Sequence, residues 1–427
     1  MQSPLSPVKV PYDAVTDELS ASQLEDPVVT IDGLTDQQRV REERIACVLF
    51  SLVGIGYLFP FSALTQPVDY WKMLFPDHNI EFAITSVFMY TNLVFLGVIV
   101  AFFGAPWYTG RIVGGFLGQL VILAFIPTSH YFLSTESAHT IAVLGGTAAV
   151  SIATAFIDSS AFGLVSQYPR KVQESFQLGV GLSSLIGSVY RDITKLVFPE
   201  DKLVTSTLFY FYTGALTIAL CIFAYYRLLR LKISRFYLAP KEEPPVVETE
   251  FKDETPQPVN KWKVLRKVLH LQLLTTVCFA TSLSLWPSLV TEIKSFNSPS
   301  LESNGWWSLI LLTAFSLADC LGRVLVGHRL GLNAKNVWIA VTARLVLVPI
   351  IILIVKEQVF THDAWAMLFV IVMGYTHGFL GALTIILVNE NVEPHEQQIA
   401  GPFTSFFLNL GLVIGASVGL LLQALVL

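Results

Sequence analysis

The chain has 427 residues, 53% of them hydrophobic and only 14% charged, with a mean hydropathy of +0.60. Soluble domains carry about 25% charged residues, so charge this sparse over this length excludes one large soluble core and calls for many membrane spans. The net charge of −5 argues against a nucleic-acid partner.

Residues 1–43 form a polar, acidic tail (Asp13, Asp17, Glu18, Glu25, Asp26) with too little apolar content to fold alone, and they are expected to be disordered and cytoplasmic. No secretory signal is visible, because the first apolar run starts only near Ile45, so the first span is expected to act as its own insertion signal. A span needs about 20 apolar residues. Eleven stretches qualify: 44–66, 82–104, 110–133, 139–165, 172–197, 204–230, 266–290, 304–327, 336–355, 363–389 and 398–427. Cys47, Cys221, Cys278 and Cys320 fall inside these runs and read as small core hydrophobes, without disulfide or zinc spacing.

Loop charge alternates with the span count. Arg39/Arg41/Arg44, Arg111, Arg170/Lys171, the stretch 227–267 and Arg329/Lys335 fall on one side, while the loops on the other are acidic or nearly neutral. Lysine and arginine favour the cytoplasmic side, which places the N-terminus inside and the C-terminus outside. The acidic loop Glu390–Gln398 falls inside as an exception. The longest loop, 231–265, is rich in Pro and Glu and basic at both ends, and reads as a flexible cytoplasmic linker. It divides the membrane part into a six-helix bundle, 44–230, and a five-helix bundle, 266–427. An all-α, six-plus-five, two-bundle layout is that of major-facilitator-like transporters, which bind substrate near the midplane between the halves.

Few charges lie at membrane depth: Asp158, Arg191–Asp192, Asp319, Arg323 and Arg344. Asp319 and Arg323 share one face of a helix, four residues apart, acid before base. Intramembrane charges mark pathways by default; the competing reading is an ion pair that locks two helices. Arg344 with Pro349 fits a structural role, and Arg191, Asp192 and Lys195 lie close enough to the surface to reach water by snorkelling. Prolines at Pro60, Pro287 and Pro402 free backbone carbonyls inside spans, with Phe61 and Trp286 beside two of them. Such aromatics either stack a flat ligand ring or pack ordinarily. No phosphate loop, catalytic triad or metal-ligand cluster appears, so neither an enzyme nor a cofactor or metal is expected.

The sequence resembles the equilibrative nucleoside transporter family along nearly all of its membrane part. Asp319-Cys320-Leu321-Gly322-Arg323 resembles the family's D-x-L-G-R in helix eight, and Trp286-Pro287 its aromatic-Pro in helix seven. Ala343–Pro349 is similar to a helix-nine motif, Gly378-Phe379-Leu380, Ala400-Gly401 and Phe406–Leu412 to helices ten and eleven, and Tyr190–Lys195 to helix five of the plant branch. The resemblance implies eleven spans and transport of nucleosides, with some nucleobases, by alternating access without ATP. It implies that Asp319 and Arg323 bind ribose hydroxyls and base, that Leu58 and Phe61 line the site from helix one, and that Trp286 and Leu412 line it from helices seven and eleven.

Three positions depart from the family pattern. Ser62 stands for a usual Asn, Ser316 for an Asn of some members, and Asp158 for the base-binding Gln of animal members. The set expected to bind substrate is therefore Asp319, Arg323, Asp158, Trp286, Phe61, Leu58, Ser62, Thr65, Ser316 and Leu412. Asp158 is expected to be a third charge near the same cavity and a candidate proton-coupling residue; the alternative is a static acid. The protein is expected to be a monomer in lipid, by default at the plasma membrane, taking nucleosides alone or with protons. A major-facilitator-like carrier of another small polar solute and a non-transporting receptor or scaffold remain the other readings.

Overall fold

In lipid, long apolar runs have one open-ended backbone solution, the helix, which satisfies every N–H and C=O within the segment. The computed structural model describes residues 35–76, 80–102, 107–238, 260–303 and 305–426, and every regular element in them is an α- or 3₁₀-helix. Residues 1–34 of the expected tail and 239–259 of the expected linker lie outside the described residues.

In chain order the helices are α1 (Asp36–Thr65), α2 (Val68–Leu74), α3 (Ile80–Phe102), α4 (Tyr108–Thr128), α5 (Glu136–Val165), α6 (Arg170–Val197), α7 (Leu203–Leu229) and α8 (Lys232–Leu238). They continue as α9 (Lys261–Leu283), α10 (Ser288–Thr291), α11 (Pro299–Ser303), α12 (Trp306–Leu325), α13 (Val337–Ala343), α14 (Leu347–Val355), α15 (Asp363–Glu390) and α16 (Gln397–Val426). Among the described residues nine helical segments are long and apolar enough to cross a membrane. Two other long helices, α6 and α9, are not among these nine. Six charged residues lie along α6, and Lys261, Lys263, Arg266 and Lys267 open α9.

Several boundaries differ from expectation. Helix α1 begins at Asp36, inside the expected tail, where Thr35 and Gln38 close a reciprocal capping box. Helix α8 and the first turn of α9 occupy residues expected to be linker. The expected span 266–290 is interrupted: α9 ends at Leu283 and the helix resumes at Ser288, after Pro287, which has no N–H to donate. The expected span 336–355 tightens to a 3₁₀ turn at Arg344–Val346 between α13 and α14.

Helices α1 and α3–α7 pack on one another, and α9, α12, α15 and α16 form a second packed group. The groups meet along two seams, α6 against α12 and α16 against α3 and α5. Glycine allows close approach at such contacts; Gly179 lies directly on the Ser51 backbone of α1. Apolar side chains such as Phe102, Val121, Leu216, Phe223 and Leu421 are exposed on the outer helix faces, as a lipid-facing surface requires. Cys221, Cys278 and Cys320 are buried, Cys47 is half-buried, and all four are free.

Candidate functional site

One helical turn separates Asp319 from Arg323 on α12, on the face turned toward α6 and α15. Arg323 Nε donates to Asp319 Oδ2 at 3.0 Å. Arg323 Nη1 reaches across to α6, donating to the Gln177 backbone carbonyl at 3.1 Å and to Gln177 Oε1 at 3.2 Å. Both charges are buried, Asp319 being 4% and Arg323 3% exposed. Burial of an ion costs several kcal/mol, offset only by good pairing geometry and further hydrogen bonds, and Gln177 supplies two of those.

Two glycines make room for the pair. A methyl added at Gly181 on α6 would lie 2.6 Å from Arg323 Cδ and 2.8 Å from Asp319 Oδ2. One added at Gly378 on α15 would overlap the Asp319 backbone carbonyl. Asp319 Oδ1 has no hydrogen-bond partner among the described residues, and His377 Nε2 stands 4.0 Å from it.

The pair is one rung of a polar ladder down the α6–α12 seam. Thr313 donates to Asp192 at 3.0 Å, the hydroxyls of Ser184 and Ser316 are 2.8 Å apart, and Arg170 Nη2 donates to the Gly327 carbonyl at 3.1 Å. The α5–α16 seam carries Asp158, which is fully buried. Its oxygens accept from Ser405 Oγ at 2.5 Å, Asn409 Nδ2 at 2.6 Å and the Tyr57 hydroxyl at 3.0 Å. Asn92 on α3 donates to Asn409 Oδ1 at 2.7 Å and so orients that amide.

A cavity of about 620 Å³ lies between the two groups at the end of the bundle that carries Thr65. Its wall includes Thr65, Gln66, Asp69, Glu81, Arg191, Lys195, Trp286 and Leu312. This volume is in the range of small-molecule sites. The Trp286 ring stacks on Phe315, centroids 5.1 Å apart, and Phe315 stacks on His377 at 5.9 Å.

At the opposite end the groups are tied together. Asn389 Nδ2 donates to Gln173 Oε1 at 3.0 Å, Ser166 Oγ to the Gln397 carbonyl at 2.9 Å, and Gln398 Nε2 to Gln167 Oε1 at 3.2 Å. Glu390 pairs with Arg329 and lies 3.9 Å from Arg170. Lys267 pairs with Glu396 at 2.8 Å. Burial pushes the Glu396 carboxyl up, but the Lys267 hydrogen bond and the Glu393 backbone N–H hold it below the usual carboxylate range. The acidic loop that stood out in the charge pattern is thus neutralised by basic residues from three helical segments.

The family described as nucleoside transporter matches residues 144–424. The chain belongs to this family. Equilibrative nucleotide transporter 8 of Arabidopsis thaliana is 24% identical over 395 residues, covering 90% of this chain and 97% of the relative. Equilibrative nucleoside transporter 4 of Homo sapiens is 23% identical and covers 90% of this chain and 84% of its own length. Equilibrative nucleoside transporter 1 of Homo sapiens is 29% identical over 308 residues, 64% of this chain and 66% of the relative. The major facilitator superfamily proton:xylose symporter XylE shares the fold at a TM-score of 0.54 and 10% identity, over 90% of this chain and 95% of that one. Members of the nucleoside transporter family are carriers, not enzymes.

The residues expected to bind substrate are found in several surroundings. Asp319, Arg323 and Ser316 lie on the α6–α12 seam; Thr65 and Trp286 line the cavity. Phe61 is buried with its ring 5.0 Å from Phe88, and Leu58 and Leu412 are half-buried against the core. Ser62 turns to α6 at Gly187, and its carbonyl accepts from Tyr210 at 3.4 Å. The direct partners of Asp158 are the neutral donors of α1 and α16, so contact does not make it a third member of the Asp319–Arg323 pair.

Arg191 corrects the expectation of snorkelling. It is 1% exposed, paired with Asp69 and donating to Ser206 at 3.3 Å. Arg344 is buried too, donating to Thr376 at 3.0 Å, to the Cys278 carbonyl at 2.9 Å and to Ser282 at 2.6 Å. Gln177, Tyr57, Ser405, Asn409 and His377 were not singled out as site residues by their sequence. Their common signal, a polar side chain within an apolar run, is too frequent to act on without knowing what faces it.

Proposed function

We propose that this chain is an eleven-span, six-plus-five carrier that moves nucleosides across a membrane by alternating access. Helices α6 and α9 supply the two spans beyond the nine apolar ones, their polar faces being turned into the bundle. The carrying observation is the buried Asp319–Arg323 pair, held by Gln177 of the opposite group and borne on α12, the helix that lines the cavity at Leu309 and Leu312. Carboxylate accepts from hydroxyls and guanidinium donates to ring or sugar acceptors, while Trp286 offers a flat apolar face and Thr65 a hydroxyl at the entrance. Phe61, Leu58, Leu412, Ser316 and Ser62 shape the path around them. The relatives named as nucleoside or nucleotide transporters support this ligand class.

The loop charges favour Asp36, Arg170 and Glu390 at the cytoplasmic end, so the cavity opens outward and the tied end is the closed inner gate. The protein works as a monomer, by default in the plasma membrane, and rocking of the two bundles alternates the gates. Uptake of radiolabelled adenosine and uridine into vesicles carrying the protein tests this. Saturable uptake, lost in Arg323→Ala, is the expected result; full uptake by Arg323→Ala would remove the pair from the substrate site.

A proton-coupled cycle has one specific observation behind it. Asp158 sits between the groups with only neutral donors on its oxygens, so its charge has no cationic partner among its hydrogen-bonded neighbours. Uptake measured from acid to neutral pH, wild type beside Asp158→Asn, decides it. Identical pH profiles would leave Asp158 as a static acid.

A further inference from the structure

We infer that His377 and Asp319 together form a slot that reads a hydroxyl group of the substrate, with His377 a specificity-determining residue. This rests on the nucleoside reading of the site and names the atoms that would recognise one ribose hydroxyl.

Four observations lead there. Asp319 Oδ1 is a buried acceptor without a partner among the described residues, although Oδ2 is taken by Arg323. His377 Nε2 faces it at 4.0 Å, too far for a direct hydrogen bond. Ser282 Oγ lies 2.8 Å from His377 Nδ1 and accepts from Arg344 Nη2 at 2.6 Å. The ring stacks on Phe315 and meets Phe279 edge-on at 4.9 Å, so its plane is fixed from two sides.

The donor directions then follow. A guanidinium only donates, so Arg344 takes one acceptor site of Ser282. The single hydroxyl hydrogen of Ser282 has two acceptors, His377 Nδ1 at 2.8 Å and the Cys278 carbonyl at 3.2 Å. We assign that hydrogen to the nearer acceptor; Nδ1 as an acceptor then leaves the proton of the neutral ring on Nε2, and Ser282→Ala tests the assignment. A donor N–H and an unused carboxylate oxygen therefore face each other across the gap. A group about 2.8 Å from both atoms must accept from one and donate to the other. A hydroxyl does both through a single oxygen, whereas a methylene does neither and a carbonyl only accepts. Ser282 and Arg344 act as positioning residues that set the tautomer. Phe315 lies between the slot and the cavity-lining Trp286, so the hydroxyl enters as that stack shifts.

Uptake of adenosine, 2′-deoxyadenosine and 3′-deoxyadenosine by the full-length protein in vesicles tests the slot. Wild type should prefer adenosine over one of the deoxy analogues. His377→Phe keeps the stack and removes the donor, and should cut that preference by about tenfold or more, acting on adenosine and sparing the matching deoxy analogue. His377→Gln, which carries an amide donor near the Nε2 position, should restore part of the preference. Ser282→Ala frees the tautomer and should shift the preference in the same direction by a smaller factor, which keeps the test in force should His377→Phe fail to reach the membrane. Preferences unchanged in both His377→Phe and Ser282→Ala would overturn the slot, as would equal behaviour of the Gln and Phe variants. Absence of any saturable nucleoside uptake by wild type would instead overturn the nucleoside reading, and this inference with it.

Discussion

Asp158 and Asp319 are the same side chain at nearly the same burial, 0% and 4% exposed, yet they are stabilised in different ways. Asp319 has an arginine one turn away on its own helix. Asp158 has three neutral donors, two of them contributed by a helix roughly half the chain away in sequence. In the first case opposite charge does the work, and the arrangement is local. In the second a fixed set of dipoles replaces water, and it exists only once the two groups have docked. In the proposed carrier cycle it is the Asp319 pair that exchanges with a ligand, Arg323 holding a substrate oxygen in place of a carboxylate oxygen. The Asp158 cluster has no cationic partner among these donors and forms a contact of neutral dipoles between the two groups.

The largest expected effect comes from breaking the local solution. Arg323→Ala leaves Asp319 as an uncompensated buried charge, and removal of one partner of a buried pair costs about 3–5 kcal/mol. Thermal unfolding in detergent should show it directly. Asp319→Asn combined with Arg323→Gln should recover most of that stability while uptake stays lost, separating fold from function. An intermediate effect is expected at the other carboxylate. Asp158→Ala strips the acceptor from Tyr57, Ser405 and Asn409, and orphaned buried donors cost roughly 1–3 kcal/mol each before relaxation. Its unfolding temperature should fall less than that of Arg323→Ala; an equal or larger fall would mean that the dipole cluster, not the ion pair, holds the groups together.

The smallest effect on stability lies at the tied end. Glu390 is a third exposed, so losing its contacts to Arg329 and Arg170 in Glu390→Gln should cost less than about 1 kcal/mol. Its readout is conformational. Cysteine labels placed near Gln173 should become more accessible from the inner face, and an unchanged labelling rate would show that the neutral hydrogen bonds of Asn389, Ser166 and Gln398 close that end by themselves.

What the sequence reveals follows the same division between local and distant. Helix α15, Asp363–Glu390, coincides with the apolar run 363–389 because a long apolar segment has no other backbone option. The Asp319–Arg323 contact is legible because its spacing alone puts both groups on one face. Arg191 is misread for the complementary reason: its partner Asp69 lies 122 positions earlier, and nothing local distinguishes a buried, paired arginine from one that reaches water. The break at Arg344 escapes because the groups that draw it inward, Cys278, Ser282 and Thr376, belong to α9 and α15. His377 looks like a weakly polar passenger until Asp319 is seen to face it.

The glycines that flank the pair carry a consequence for how such a protein can diversify. Residues 181 and 378 are pressed against Asp319 and Arg323 so closely that not even a methyl group fits. The charged centre is cast in a mould without slack, and no graded series of side chains can retune it from either flank. A larger residue at 378 would meet the Asp319 backbone, and one at 181 would have to displace the paired side chains themselves. On the proposed site, room to alter substrate preference lies instead on the cavity wall at Thr65 and Trp286 and on the far side of the carboxylate at His377.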